Sequence, residues 1–169
     1  MRTLNELGPI LLGAWLGAAL FFSAVVAPGV FSVLRGFALP NANEIAGSVV
    51  TRTLTVINVS GFLIGLVLLA ATVVWKSTSN ARGFAFMTQV LSLAVLAITT
   101  AVGHWIIAAR MLFLRTAMAI PIDRVAGNDP RRLAFNKLHG YSVAVLSAAM
   151  IATMIAIVAI VLGRRGTRQ

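Results

Sequence analysis

Cysteine is absent from this 169-residue chain, which excludes disulfides, thiolate metal sites, zinc knuckles and thioether-linked haem. Acidic residues are nearly as scarce. Glu6, Glu44, Asp123 and Asp129 are the four present, and none falls within the membrane-spanning part of an apolar run. Carriers coupled to protons or sodium keep carboxylates at membrane depth, so that class is disfavoured. No glycine-rich phosphate loop and no nucleophile–base pair is evident. The serines and threonines lie in helical stripes, where their hydroxyls bond back to the backbone or across helices. An enzyme is therefore not expected.

Apolar surface is what the chain has in excess. Hydrophobic residues make up 59% and charged residues 11% of the sequence, far from the balance of a soluble domain. Four apolar runs stand out: Leu7 to Leu34, Val56 to Trp75, Phe84 to Ala109 and Tyr141 to Leu162. Each approaches or exceeds the ~20 residues needed to cross a hydrocarbon core of about 30 Å. With no water there to satisfy backbone groups, each must be a helix. Val25-Val26-Ala27 would pass as a signal-peptide cleavage site, but Met1–Leu7 carries one Arg offset by Glu6. That is a poor positive leader, so the first run is read as a true span.

The expected fold is all-α: one domain over residues 1–169, an integral membrane antiparallel four-helix bundle. Its helices are placed at about 4–35, 42–76, 82–120 and 130–163. Gly36 is read as the cap ending the first. Asn41, with Glu44 three residues on, reads as a capping box for the second, and Asn128-Asp129-Pro130 as the start of the fourth. A tight Lys76–Asn80 connection, with Ser79 or Asn80 as the next cap, makes the second and third helices antiparallel neighbours. The second helix would be about 50 Å long, so the helices extend beyond the bilayer on the side of the first and third loops.

That side would carry a basic cap of Arg35, Arg52, Arg110, Arg115, Arg124, Arg131, Arg132 and Lys137. The net charge of +10 comes from 14 basic residues, of which the remaining six (Arg2, Lys76, Arg82, Arg164, Arg165, Arg168) lie at the other end. The positive-inside rule then favours a cytoplasmic cap by a narrow margin. Such charge anchors a protein to anionic headgroups. No aromatic-interleaved basic motif for RNA or DNA is present, so nucleic acid is not an expected partner.

Each helix carries one stripe at helical spacing. The first holds Gly13, Gly17, Leu20, Ala24, Ala27 and Phe31, where Gly13-x-x-x-Gly17 would admit a neighbouring backbone, and Pro28 should kink it. The second holds Gly47, Thr51, Leu54, Asn58, Gly61, Gly65 and Thr72. An amide at the depth of Asn58 needs a partner, and an interhelical hydrogen bond is the simplest one. The third holds Gln89, Ser92, Thr100, Gly103 and His104, with Arg110 and Met111 beyond. The fourth holds Phe135, His139, Ser142, Leu146, Met150 and Thr153. Folding the last two helices back on each other sets His139 roughly 9 Å nearer the cap than His104. That offset counts against a bis-histidine haem, whose ligands face each other across one plane. A copper-like site using His104, His139 and Met111 or Met150 is chemically acceptable. Both histidines also read as hydrogen-bonded residues of the membrane edge.

Several segments resemble a known family. Gly13-Ala14-Trp15-Leu16-Gly17, Pro28-x-x-Phe31, the Leu39-Pro40 turn, Gly47 and Val49-Val50 are similar to the first half of the transmembrane protein 205-like family. Phe135-x-x-x-His139-Gly140-x-Ser142 resembles its last-helix signature, and the third helix matches loosely. The resemblance implies four membrane helices, no settled catalytic residues, and a distant likeness to copper-resistance-type membrane units.

Two functions fit these residues, the first favoured and the second the alternative. One is a non-enzymatic accessory subunit of the cytoplasmic (inner) membrane, docking through apolar faces to other membrane subunits or to its own copy. The other is a binding or transport module for a metal, haem, quinone or other small hydrophobic ligand near His104, His139 and Asn58, with Arg110, Met111 and Met150 as further donors. No cofactor is required by the residues themselves.

Overall fold

The computed structural model describes residues 2–76 and 83–165, and side chains within 7–74 and 83–163. The expected Lys76–Asn80 turn, its Ser79 or Asn80 cap and a helix start at Arg82 lie outside the described residues. Among those described there is no strand, and four helices are long and apolar enough to cross a membrane: Leu7–Gly36, Ala42–Val74, Phe84–Met118 and Pro130–Gly163.

The first helix packs on the second and fourth, and the third packs on the same two, giving a closed square of antiparallel helices. The centre is filled by Leu12, Trp15, Phe22, Leu93, Leu96 and Leu146, with Ala149 and Ala156 allowing the fourth helix close to its neighbours. Hydroxyls at the centre bond backwards along their own helices: Thr100 donates to the Leu96 carbonyl at 2.7 Å and Thr153 to that of Ala149 at 2.8 Å. Their polarity is thereby met without water.

The small stripe of the second helix is used along its length. A Cβ on Gly61 would lie 2.7 Å from the Trp15 ring, and the Trp15 indole N–H donates to the Ile57 carbonyl at 2.9 Å. A Cβ on Gly65 would lie 3.2 Å from the Ala97 backbone nitrogen of the third helix, and one on Gly103 of that helix 3.3 Å from the Asn58 amide. Nearer the far end Gln89 donates to Thr72 at 3.0 Å. The stripe on the first helix behaves differently. Gly13 and Gly17 are exposed, and a Cβ on either would meet nothing within 4 Å. Trp15, between them in sequence but on the opposite face, makes the interhelical contact instead.

Two helices change pitch. The first runs through a π turn, Phe22–Val26, before Ala27–Gly36 resumes as α. Pro28 cannot donate, and the π turn just before it is where the helix accommodates the missing bond. Before this turn Arg2–Phe21 packs on both the second and fourth helices; after it, Ala27–Gly36 packs chiefly on the second. The bundle thus opens on the fourth-helix side at the loop end. The third helix has its own π turn, Val102–Ala108, around His104.

The helix ends correct three expectations. Gly36 is an ordinary helical residue, and the left-handed position after it belongs to Ala38 (φ 50°). The third helix stops at Met118, before Pro121, through left-handed Ala119 (φ 56°). Glu44 does not close a capping box. Its carboxylate accepts from Arg115 Nε at 2.6 Å and from the Ile122 N–H at 3.3 Å. Asp123, on a short 3₁₀ turn Ile122–Arg124, accepts from the Glu44 N–H at 3.4 Å and from the Asn43 amide. Loops one and three are therefore tied together at one end of the bundle, with one acting as the cap of the other's helix. The fourth helix starts as its sequence suggests: Asp129 accepts from the Arg131 N–H at 2.7 Å. The Arg131 guanidinium beside it holds the half-buried Asp129 carboxyl down at about 2.

Candidate ligand cleft

Where the first helix leaves the fourth, a cleft of roughly 370 Å³ opens between all four helices. Phe22, Ala27, Pro28 and Phe31 come from the first helix, Val50, Thr51 and Leu54 from the second, and Ala108, Met111 and Arg115 from the third. The fourth supplies Phe135, His139, Ser142, Leu146 and Met150, successive members of its sequence stripe. The local reason is spacing: i, i+4, i+7 steps put these five side chains on one face, and the π turn beyond Phe21 withdraws the helix that would have covered them.

A second chamber of about 430 Å³ lies toward the loops and shares Phe31, Val50, Thr51, Met111, Arg115, Phe135 and His139 with the first. It adds Arg35, Asn43, Asp123, Arg132 and Asn136. The two form one amphipathic space, alkyl, aromatic and thioether within the bundle and charged at the loop end. His139, exposed, stands where the two chambers meet. At the charged end Arg115 is spent on Glu44, through its Nε and a 2.5 Å bond to the Glu44 carbonyl. Arg35 donates one bond, to Asn43 at 2.9 Å, and lies over the Phe31 ring at 5.5 Å. Arg132 donates to the Val125 carbonyl.

The residues singled out from sequence divide into two groups. His139, Met111, Met150, Phe135 and Ser142 come together in the cleft, as does Pro28. His104 does not line it. Its ring lies edge-on to Trp105 at 4.9 Å, Trp105 in turn meets Phe62 at 5.0 Å, and His104 Nδ1 is buried without a hydrogen-bond partner. Asn58 is buried in the bundle beside Gly103, and Arg110 is exposed over Phe113 at 5.7 Å. Gly140 is exposed with open space around it, and Trp15 belongs to the core.

His139 thus lines both chambers and His104 lines neither. Among the described residues no three of His, Cys, Asp or Glu are grouped to hold a metal ion. The inner chamber offers one imidazole, two thioethers, the hydroxyls of Thr51 and Ser142 and the Arg115 guanidinium on a mostly apolar wall. Sequence reasoning placed Arg35, Arg115 and Arg132 in a basic cap but missed that they edge a cavity, together with Asn43, Asp123 and Asn136. The space lies where the first helix parts from the fourth after its π turn, for which the sequence has no sharp signal beyond Pro28.

Four apolar helices around an amphipathic cleft define a multi-pass membrane protein. Residues 10–119 match the model of a family described as Domain of unknown function (DUF4149), and the chain belongs to that family. The matched stretch ends with the third helix, so the fourth, with His139, lies beyond it. The match bears out a membrane domain of unknown function and leaves the narrower transmembrane protein 205 likeness resting on its motifs. No curated protein and no solved structure matches the chain.

Proposed function

We propose that this chain is a non-enzymatic binding module of the membrane, holding a small hydrophobic or amphipathic ligand between its helices. One observation carries the proposal: the cleft receives side chains from all four helices and falls within the ~300–1,000 Å³ usual for small-molecule sites. Its apolar lining with a few polar groups at one end suits binding and orientation, and no reaction is assigned to it. His139, Ser142 and Thr51 supply the polar contacts inside, with Met111 and Met150 as adaptable walls.

The proposal places the chain in the cytoplasmic membrane, its basic loop end on the cytoplasmic face as the positive-inside rule favours. Docking to a membrane complex or a second copy has for support only the apolar outer faces, which lipid covers equally well.

Native mass spectrometry of the chain, gently extracted from its own membrane, tests the proposal. The expected result is a copurifying organic ligand near one per chain, lost when Ala108→Phe or Leu146→Trp fills the inner chamber. A ligand-free wild type, or occupancy unchanged in both folded variants, would sink it.

A further inference from the structure

Resting on that binding reading, we infer that the ligand is an anionic amphiphile: one negatively charged headgroup held at the loop-end chamber by Arg35 and Arg132, with an apolar tail running into the bundle. The outer chamber has three arginines on its wall and one carboxylate, Asp123. Arg115 is neutralised by Glu44, the carboxylate 2.6 Å from its Nε. Asp123 is already engaged by the Asn43 amide and the Glu44 N–H. Arg35 and Arg132 have no carboxylate within ion-pair distance, since the pairs among the described residues are Arg115–Glu44 and Arg131–Asp129.

Each guanidinium has five N–H donors in a fixed fork. Arg35 uses one on Asn43 and Arg132 one on a carbonyl, so both keep donors for a carboxylate or a phosphate oxygen, the acceptors that a planar fork matches best. Asn136 adds an amide on the same wall. Counting Glu44, the chamber's three arginines stand against two carboxylates, which fits a headgroup of a single negative charge. Phe31, Val50 and Phe135 line both chambers, giving the tail a continuous apolar path from headgroup to interior. A cationic or neutral head would leave both guanidinium forks unmatched at the entrance to a low-dielectric space, where charge counts more than in water.

The ligand chemistry could come from a free single-chain acid or from an anionic bilayer lipid. Titrations of the purified full chain with tetradecanoate, its methyl ester and tetradecyltrimethylammonium, read by native mass spectrometry, test the charge. Tetradecanoate should bind about tenfold tighter than the ester, a difference of the size expected for charge-assisted hydrogen bonds. Arg35→Gln with Arg132→Gln should erase that preference while leaving ester binding unchanged; Arg132→Lys keeps the charge, and part of the preference, if the loop needs it to fold.

Equal affinity for acid and ester in the wild type, or a preference that survives the double substitution, overturns the inference and leaves the cleft proposal standing, provided Ala108→Phe blocks the ester. Failure of all three probes to bind the folded chain defeats the cleft proposal itself. Displacement of tetradecanoate by phosphatidylglycerol in nanodiscs assigns the charge preference to a bilayer lipid. Resistance to that displacement assigns it to a free acid.

Discussion

Gly61→Ala is the substitution whose outcome the packing determines most sharply. The new methyl would sit 2.7 Å from Trp15 Cε2 and Nε1 and 2.8 Å from Cζ2, distances that no side-chain carbon tolerates. The indole is buried in the core and fixed by its 2.9 Å bond to the Ile57 carbonyl, so it must move and lose that bond. Overpacking a tight core costs about 1–3 kcal/mol, and a lost interhelical hydrogen bond in a bilayer about 0.6–1.7 kcal/mol. Alanine returns roughly 0.5–1 kcal/mol in helix propensity, for a net destabilisation of about 2 kcal/mol. Gly17→Ala supplies the control, since its Cβ meets nothing within 4 Å and only the propensity gain of ~0.5–1 kcal/mol applies. Unfolding in mixed micelles titrated with SDS should rank Gly17→Ala at or above wild type and Gly61→Ala well below. Trp15→Phe, which removes the indole donor and trims the ring, should shrink the Gly61→Ala cost by at least about 1 kcal/mol in a double-mutant cycle. Equal stability of Gly61→Ala and Gly17→Ala would refute the assigned helix interface.

Three further outcomes follow from the loop end. Ala119→Gly relieves a left-handed alanine (φ 56°) and should stabilise by up to about 1 kcal/mol, seen as a raised Tm in detergent; a lower Tm would contradict the assigned helix end. Glu44→Gln removes the half-buried partner of Arg115 and should weaken the junction of loops one and three by about 1–2 kcal/mol, read as faster proteolysis in residues 119–129 with the four helices intact. The Asp129 carboxyl should titrate at about 2, below its ordinary 3.8, and move back up in Arg131→Ala. A depressed folded value means its capping contribution is full above about pH 4 and lost as pH falls through about 2, so a wild-type midpoint near 4 by carboxyl NMR would refute the contact.

The four spans, their antiparallel order and the shared side of loops one and three were legible because apolar length and basic clusters depend on local sequence alone. The stripes of the second and fourth helices were legible too, since helical spacing fixes which side chains share a face. Gly13-x-x-x-Gly17 misled because the spacing identifies a face without saying whether it turns inward, and the larger Trp15 decided that. Glu44 misled because a capping box and a cross-loop ion pair have the same local residues, and Arg115 is far away in sequence. Whether His104 and His139 line one cavity depends on helix stagger, which local sequence leaves free. The packed bundle sets His104 against Trp105 and gives His139 to the cleft. The cleft itself comes from a change of helix pitch after Phe21, a property of backbone hydrogen bonding that residue patterns only hint at through Pro28.

Photolabelling with a tetradecanoate carrying a diazirine on its chain tests most directly whether the cleft, and not the outer surface, holds an amphiphile. Peptide mapping of the irradiated full chain should find the label on Leu54, Ala108, Leu146 and Met150, competed away by unlabelled tetradecanoate and absent in Ala108→Phe. Label confined to outward residues such as Leu20, Val33, Phe113 and Ile151, all more than 40% exposed, would mean that the chain meets amphiphiles only as surrounding lipid, and would contradict the account.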